Sequence, residues 1–231
     1  MEELQRLDWD SDFFGYEVGK INVTNINEFN KEKFIQDSKK YRLVYLFSQS
    51  QFSTDFFNLV DKKVILEQDI EDIELSKSDM IESFNQTKHD YIQLKNLALE
   101  SGIFSRFFID ENFKNDEYRK LYEKWIENSV DKKLSFDIIV ALKDNTILGF
   151  TTLNKKDENL ADIGLVAVSN DFRGLGLGKK LINESIRRAK LAGFTKIQVV
   201  TQLDNTAAVN LYQSTKFKIK EVTNIYHYWN L

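Results

Sequence analysis

A glycine-rich segment beside an arginine is the part of this sequence best suited to chemistry. It reads Arg173-Gly174-Leu175-Gly176-Leu177-Gly178 and is followed by Lys179. Glycines let backbone N–H groups approach a ligand closely. A helix that begins at such a loop presents unpaired N–H groups and the positive end of its dipole. The segment therefore predicts an anion site suited to a phosphate or diphosphate, with Arg173 and Lys179 adding positive charge.

Three kinds of phosphate loop compete for this pattern. A Walker loop requires Ser or Thr after Gly-Lys, but Lys180 stands there. A dinucleotide-binding fingerprint requires G-x-G-x-x-G at the start of a βαβ unit, whereas the spacing here is G-x-G-x-G and the loop follows antiparallel strands. The pattern (Arg or Gln)-x-x-Gly-x-(Gly or Ala), typical of acetyl-CoA loops, fits at Arg173, Gly176 and Gly178. A tight strand-to-helix turn that holds no ligand is the structural alternative.

The hydrophobic pattern places this loop between a strand and a helix. Residues 161–168 (ADIGLVAV) are nearly all apolar and predict a strand buried on both faces. Residues 177–192 carry their apolar side chains on one stripe and predict an amphipathic helix. Gly193 is placed to end that helix in a left-handed turn, and Asn205 is placed to cap a short helix over 206–215.

The remaining pattern predicts further elements before and after the loop. From residue 115 the predicted order is helix, three antiparallel strands, helix, strand, helix and two short strands. The earlier part of the chain predicts short strands and helices, and we expect an N-terminal α/β domain at 1–88 and a second domain at 89–231. The other predicted elements are a helix at 116–130, a hairpin of strands 138–142 and 147–153, and strands 41–48, 63–66, 196–201, 217–222 and 225–229.

Composition excludes several kinds of site. The chain has no cysteine, which rules out disulfides, thiolate metal ligands and a cysteine nucleophile. Its only histidines are His89 and His227, and we expect no metal. The net charge of -4 is spread along the chain, which argues against a nucleic acid partner. No apolar run is long enough to span a membrane and the N-terminus lacks signal-peptide features, so we expect a cytoplasmic protein. A homodimer is left open.

The loop and the element order together resemble the GNAT superfamily of acetyl-CoA-dependent N-acetyltransferases, over about residues 115–231. The resemblance implies an α+β fold with a mixed central sheet, in which two splayed parallel strands are flanked by helices, plus a smaller N-terminal α/β part. It implies that the pantetheine arm of acetyl-CoA lies between strands 161–168 and 196–201 and pairs with the backbone of Val166 and Val168. The residues implied to hold the diphosphate are Arg173, Gly174, Gly176, Gly178 and Lys179.

A second motif of that superfamily is an asparagine followed two helical turns later by a tyrosine. Asn205 and Tyr212 match it. The resemblance implies that Asn205 contacts the pantetheine and that Tyr212 is the general acid that protonates the departing thiolate. The structural alternatives are a helix cap at Asn205 and a core residue at Tyr212. The sequence departs from the superfamily at Asn170, often proline, and at Lys216, often glycine.

A narrower resemblance concerns the acceptor. Segments 7–15 (LDWDSDFFG), 97–107 (LALESGIFSRF), 125–130 (WIENSV) and 201–208 (TQLDNTAA) are similar, in order, to bacterial dTDP-fucosamine acetyltransferases. Those enzymes acetylate the 4-amino group of a dTDP-linked 4-amino-4,6-dideoxy sugar for surface polysaccharide synthesis. The resemblance implies a nucleotide-sugar acceptor here, with direct attack of its amine in a ternary complex.

The roles of individual residues in these segments stay open at this point. Trp9 and Phe14 are expected to dock the N-terminal part onto the core. Arg106 either meets a nucleotide diphosphate or forms a structural ion pair, and no residue is identified as general base. Other interpretations of the whole chain are a GNAT enzyme for another amine (a protein N-terminus, a polyamine or an antibiotic), a catalytically silent CoA-binding module, and an unrelated phosphate-binding domain.

Overall fold

The computed structural model describes residues 3–25, 27, 29–53, 56–70 and 78–231. Within them, ten strands form one sheet in the order β1-β2-β3-β10-β4-β9-β8-β7-β6-β5. The strands are β1 (Gln5–Arg6), β2 (Val18–Asn22), β3 (Leu43–Ser48), β4 (Asn58–Asp69), β5 (Ile81–Ser83), β6 (Ser135–Lys143), β7 (Thr146–Lys155), β8 (Leu160–Val168), β9 (Lys196–Gln202) and β10 (Lys218–Trp229). The helices are α1 (Asp8–Phe14), α2 (Lys31–Ser38), α3 (Tyr91–Ser101), α4 (Arg106–Ile109), α5 (Glu117–Val130), α6 (Leu177–Leu191) and α7 (Thr206–Ser214).

Local sequence accounts for the central elements. The β6–β7 hairpin turns at Asp144 and Asn145, whose φ angles of 50° and 63° suit a two-residue hairpin turn. Helix α6 is followed by Gly193 with φ 90°, and the side chain of Asn205 accepts a hydrogen bond of 3.2 Å from the Ala208 amide at the start of α7. The predicted hairpin, left-handed glycine and helix cap are therefore confirmed. Lys216 has φ 75°, a left-handed conformation in which glycine would be less strained.

The N-terminal part of the chain enters the same sheet as the C-terminal part. Strand β4 lies between β9 and β10 and is antiparallel to both. Strand β3 pairs with the other edge of β10. The boundary predicted near residue 88 stays a prediction, but the sheet itself is continuous across both parts.

The prediction of two short final strands is wrong. Residues 218–229 form the single strand β10, which is kinked by register shifts near Ile219 and Ile225. The polar pair Thr223-Asn224, which suggests a break in the sequence, is buried; Thr223 pairs with β4, and Asn224 pairs with both β3 and β4. The Asn224 amide donates to the carbonyls of Ser48 and Gln49, each at 3.3 Å. These partners satisfy the polar groups that would otherwise favour a turn.

Helices cover both faces of the sheet. Helices α6 and α7 pack on one face, over a core that includes Val64, Ile182 and Val209. Helices α3 and α5 pack on the other face, over a core that includes Leu94 and Ile126. Farther along that second face, α1, α4 and α5 cover β2, β3 and β10. Among the described helices, none has both the length and the apolar character needed to cross a bilayer.

Candidate active site

A bulge in β8 opens the centre of the sheet. Strands β8 and β9 pair in parallel only from Leu160 to Ile163. On its other edge, β8 pairs Ile163 with Leu153 and Val166 with Thr151, so β8 holds one residue more than β7 in this interval. The extra residue bends β8 away from β9 beyond Ile163. The backbone of residues 164–168 therefore lacks a strand partner on the side of β9.

Val166 and Val168 direct their backbone polar groups into this opening. The Ser169 amide donates to the Leu148 carbonyl at 2.8 Å, which makes 148 and 169 a hydrogen-bonded pair. Because such pairs alternate with non-bonded ones in an antiparallel ladder, Val166 and Val168 turn their N–H and C=O groups away from β7. An extended ligand can pair with them as an added strand would.

Thr152 holds the bulge in place. Its Oγ1 accepts a hydrogen bond of 2.9 Å from the Leu165 amide. A Cβ added to Gly164 would lie 2.6 Å from the same oxygen, so only glycine fits at this point of the bulge. The sequence predicts that residues 161–168 are buried on both faces of the sheet. Residues 164–166 are only half-buried, because here β8 borders a cavity.

The glycine loop needs its glycines for two different reasons. Gly174 and Gly176 both have φ 77°, and a Cβ added to either would meet nothing within 4 Å, so backbone conformation alone favours glycine there. At Gly178 an added Cβ would lie 3.0 Å from Leu211 Cδ2, so this glycine lets α6 approach α7. Gly176 immediately precedes α6. The first N–H groups of that helix therefore face the loop.

Every site residue predicted from the sequence lines one cavity of about 550 Å³. The cavity runs between the separated ends of β8 and β9, with the glycine loop, the end of α3 and helix α7 around it. Arg173 is held beside it, since its Nε donates to the Val168 carbonyl at 2.9 Å and its Nη2 lies 3.7 Å from Glu100 Oε2. The predicted residues in its lining are Val166, Val168, Arg173, Gly174, Gly176, Gly178, Lys179, Asn205 and Tyr212.

Tyr212 is buried in the wall formed by α7. It is 4% exposed, and burial raises the pKa of its phenol well above the usual value near 10. Its ring packs against Phe217, and among the described residues its hydroxyl has no hydrogen-bond partner. Tyr212 therefore keeps its proton at neutral pH and can donate it to a group inside the cavity.

Sequence reasoning missed a carboxylate behind the end of this cavity. Gln202 lines the cavity and pairs with Lys63 on β4, which places Asp61 on the same face two residues away. Asp61 is 6% exposed and its Oδ1 has no hydrogen-bond partner. Burial raises the pKa of Asp61 to about 6, against the opposing effects of the Arg106 charge and a hydrogen bond from Gln202. No local motif marks Asp61, because only the pairing of β4 with β9 brings it here.

Phe14 docks the N-terminal part onto the core as predicted, whereas the ring contact of Trp9 lies within helix α1. Phe14 packs against Phe107 and Phe113, with ring centroids 6.0 and 5.6 Å away. Trp9 stacks on Phe13 at 4.9 Å and stays 49% exposed. Arg106 forms no ion pair within 4.0 Å in the part of the chain that the structure describes; its guanidinium lies instead over the rings of Tyr45 and Phe107.

The residues of this cavity fall within a match to a known protein family. A family model described as the acetyltransferase (GNAT) family matches residues 94–217, which span the cavity, the glycine loop and helix α7. The chain belongs to the GNAT acetyltransferase family. The match begins inside α3, so strands β1 to β5 lie outside it. The α+β fold with splayed central strands is thus confirmed for this GNAT protein.

Curated relatives include a protein named as an acetyltransferase. The spore coat polysaccharide biosynthesis protein SpsD of Bacillus subtilis (strain 168) is 27% identical over 134 residues, covering 58% of this chain and 45% of that protein. The dTDP-fucosamine acetyltransferase of Escherichia coli O6:H1 is 32% identical over 126 residues, covering 53% of this chain and 52% of that enzyme. The chain thus matches about half the length of these curated relatives.

A solved structure shares the fold across nearly the whole chain. A conserved protein of unknown function from Staphylococcus epidermidis ATCC 12228 superposes with a TM-score of 0.62 at 12% identity. The superposition covers 94% of this chain and 85% of that one. The strands outside the family match are therefore part of an architecture that occurs in another protein. Among the described residues, no group of three or more histidine, aspartate or glutamate side chains is placed to hold a metal ion.

Proposed function

We propose that this GNAT protein transfers an acetyl group from acetyl-CoA to the amino group of a nucleotide-linked sugar, specifically a dTDP-linked 4-amino-4,6-dideoxy sugar. The observation that carries the proposal is the single cavity between β8 and β9. It has an anion-binding loop at one end, unpaired strand backbone along its side and the Tyr212 hydroxyl in its wall. Few ligands other than an acyl-CoA combine a diphosphate with a long, extended amide chain.

The residues present fit acetyl-CoA, which would supply the acetyl group as a thioester. The loop amides with Arg173 and Lys179 suit the diphosphate. Val166 and Val168 suit the amides of the pantetheine arm. The Asn205 carbonyl oxygen caps α7 through the Ala208 amide, which leaves its NH₂ group to donate to the same arm.

Two residues have the protonation states that amide formation needs. Tyr212 carries a proton that it can give to the leaving sulfur, because burial disfavours its phenolate. Asp61 is ionised above a pKa of about 6 and can take the proton that the attacking amine loses, either directly or through one water. Backbone N–H groups of the bulged strand polarise the carbonyl. Since the chain has no cysteine, direct attack by the amine is the simplest route.

The choice of acceptor rests on the relatives. One is named as a dTDP-fucosamine acetyltransferase and another as a polysaccharide biosynthesis protein. The two matches extend over 134 and 126 residues, about the length of the family match at 94–217. An amino sugar destined for a polysaccharide agrees with both names.

A thiol-release assay tests the proposal. The full chain is given acetyl-CoA with dTDP- and UDP-linked amino sugars, polyamines, peptides and aminoglycosides, and products are identified by mass. We expect release only with dTDP-linked 4-amino sugars, together with a product heavier by one acetyl group. Turnover only with peptides, polyamines or aminoglycosides would refute the acceptor. CoA binding without transfer to any amine would refute the activity and indicate a silent CoA-binding module.

A further inference from the structure

A second cavity adjoins the catalytic cavity at the end of α3, and we call it the outer cavity. Its volume is about 510 Å³, and Glu100 and Ile103 line both cavities. The side chain of Glu100 is 38% exposed and Ile103 is 40% exposed, so solvent reaches both residues where the cavities meet. A long ligand that occupies the catalytic cavity can therefore extend across these two residues into the outer cavity.

Aromatic side chains line the outer cavity, and one of them is largely exposed. The four rings are those of Phe107, Phe108, Phe113 and Tyr118. Phe108 is 55% exposed and meets the ring of Tyr118 edge-on, with the two centroids 5.0 Å apart. The Tyr118 hydroxyl donates a hydrogen bond to the Leu99 carbonyl, which fixes this support. The outer cavity thus offers an exposed aromatic ring with a fixed neighbour, and such a ring suits a flat partner.

The exposed apolar surface continues from the outer cavity to the catalytic one. Among residues 103–109, four large apolar side chains are more than a third exposed: Ile103, Phe104, Phe108 and Ile109. Ile103 and Phe104 line the catalytic cavity, while Ile103 and Phe108 line the outer cavity. Contiguous apolar surface of this kind marks ligand-binding grooves and interaction sites. Its continuity with the catalytic cavity indicates the acceptor as its occupant.

Two cations of the outer cavity lack a carboxylate partner. Lys114 and Arg119 both line this cavity, and their side chains are exposed. Neither lies within 4.0 Å of a carboxylate oxygen in the ranges that the structure describes. Both cations are therefore available to an anionic ligand.

Three carboxylates share the lining with these cations, and two of the three are already engaged. Glu117 is buried and accepts hydrogen bonds from the backbone and side-chain amides of Asn115, at 2.5 and 3.1 Å. Glu100 Oε2 lies 3.7 Å from Arg173 Nη2. The third is the exposed Asp116, which precedes α5. Two exposed cations thus accompany one exposed, unengaged carboxylate in this part of the described chain, so direct contacts in the outer cavity favour an anion.

We infer that the outer cavity binds the nucleoside diphosphate of the acceptor, with the base on Phe108 and the diphosphate at Lys114 and Arg119. This inference rests on the proposed function, and it assigns the part of the acceptor that does not react. Every nucleobase has a flat π face that can stack on an aromatic ring. Arginine and lysine both bind phosphate, arginine through two parallel hydrogen bonds. The sugar then lies over Glu100 and Ile103, with its amine inside the catalytic cavity.

This arrangement holds the two diphosphates of the reaction at different places. Acetyl-CoA takes the glycine loop at residues 173–178, and no residue of that loop lines the outer cavity. The acceptor enters instead from the side of α3, α4 and α5. Both substrates can therefore be bound at once, as direct attack in a ternary complex requires.

Calorimetric titration of the full chain with dTDP tests this assignment. CoA is present at saturation, so that dTDP does not occupy the glycine loop. Phe108→Ala removes the exposed ring, and Arg119→Gln removes one cation. We expect the dissociation constant of dTDP to rise about tenfold in each variant, equivalent to about 1.4 kcal/mol. KM for the dTDP-linked amino sugar should rise by a similar factor, whereas KM for acetyl-CoA should change less than about twofold.

Each variant has a matched control. Phe136→Ala also removes an exposed ring with one aromatic neighbour, since Phe136 is 38% exposed and stacks on Phe194 at 5.6 Å, but Phe136 lines neither cavity. Lys124→Gln removes a cation from the same helix α5, again outside both linings. Both controls should bind dTDP as wild type does.

Three results would overturn the assignment of the outer cavity. Unchanged dTDP affinity and acceptor KM in both variants would overturn it while leaving the proposed function intact, provided that wild type acetylates the dTDP-linked sugar. An equal loss of affinity in the matched controls would show that the effect does not come from the outer cavity. Wild type that acetylates only peptides, polyamines or aminoglycosides would refute the proposed function as well. Circular dichroism shows which of the two variants folds, and either one suffices.

Discussion

The Nδ1 atom of His227 lies 2.5 Å from Oδ2 of Asp110, and the Trp229 indole donates to the same oxygen at 2.8 Å. Burial lowers the pKa of His227 to about 4, against the opposing effect of Asp110. Burial alone would raise the pKa of Asp110, but the hydrogen bonds from His227 and Trp229 lower it to about 2. At neutral pH the imidazole is therefore neutral and donates its Nδ1 proton to the carboxylate.

His227 and Asp61 give stability opposite dependences on pH. His227 takes up a proton near pH 6.5 in the unfolded state and near pH 4 in the folded state. The folded state therefore loses stability as the pH falls from 6.5 to 4. Asp61 takes up a proton near 3.8 when unfolded and near 6 when folded, so stability falls as pH rises from 3.8 to 6. Each effect amounts to about 3 kcal/mol. The two nearly cancel between pH 4 and 6.

We expect Asp61→Asn and His227→Gln to tilt this pH dependence in opposite directions. When the pH is lowered from 6.5 to 4, the free energy of unfolding of Asp61→Asn should fall by about 3 kcal/mol relative to that of wild type. With His227→Gln it should rise over the same range, again relative to wild type. Urea unfolding at half-unit pH steps measures both. The same pH slope in both variants would show that these two groups do not control it.

Tyr212→Phe should lower kcat without weakening acetyl-CoA binding. The change removes the proton donor but keeps the ring that packs against Phe217. A lost general acid reduces the rate by about 10²-fold or more. Steady-state thiol release and the dissociation constant of CoA separate the two effects. Tyr228→Phe, in a tyrosine that packs against Phe34 and does not line the cavity, is the control and should keep the wild-type kcat. A wild-type kcat for Tyr212→Phe would remove Tyr212 from the reaction.

Gly176→Ala should weaken CoA binding, and Gly193→Ala should not. Both residues have a positive φ, 77° and 90°, and an added Cβ would meet nothing at either. Each change therefore strains the backbone by a similar amount, about 1 kcal/mol. Only Gly176 lines the cavity, in the loop that we propose holds the diphosphate. We expect the two variants to unfold at similar temperatures, and only Gly176→Ala to show a higher dissociation constant for CoA. Equal CoA affinities in the two variants would contradict a diphosphate site at the loop.

Glu184→Gln should destabilise the protein more than Glu127→Gln. Glu184 is 3% exposed and accepts hydrogen bonds of 2.7 to 2.8 Å from Arg187 and Arg188. Neutralising Glu184 leaves Arg187 without an ionised partner among the described residues, while Arg188 keeps Asp137, so we expect a cost of about 2 kcal/mol. Glu127 pairs with Lys124 at the surface, where such pairs contribute well under about 1 kcal/mol. Denaturant midpoints compare the two variants, and an equal shift would show that burial of Glu184 is unimportant.

The proposed CoA side of the site was predictable from short stretches of sequence. The conformations of Gly176 and Gly193 and the capping by Asn205 depend on residues within a few positions along the chain. These local rules placed the loop before α6 and Tyr212 inside α7. For the same reason, the order of elements around the loop follows from the hydrophobic pattern and its glycines.

The position of Asp61 beside the cavity was not predictable in this way. Asp61 and Gln202 are neighbours only because β4 inserts between β9 and β10, and pairing between distant segments leaves no local pattern. Likewise, a register shift against β7 decides that β8 leaves β9 after Ile163. The continuous strand β10 is a third case, since the partners of Asn224 lie far away in sequence.

The sequence by itself thus determined the family, the glycine loop and the helix that carries Tyr212, because backbone conformation and helix capping are local properties. The tertiary structure decided where β8 and β9 separate and which N-terminal residues reach the end of the cavity. Those outcomes depend on strand order and register, which are settled only when the whole sheet buries its two faces. Asp61 and Gln202, which are far apart in the sequence, are brought together by the pairing of β4 with β9 alone.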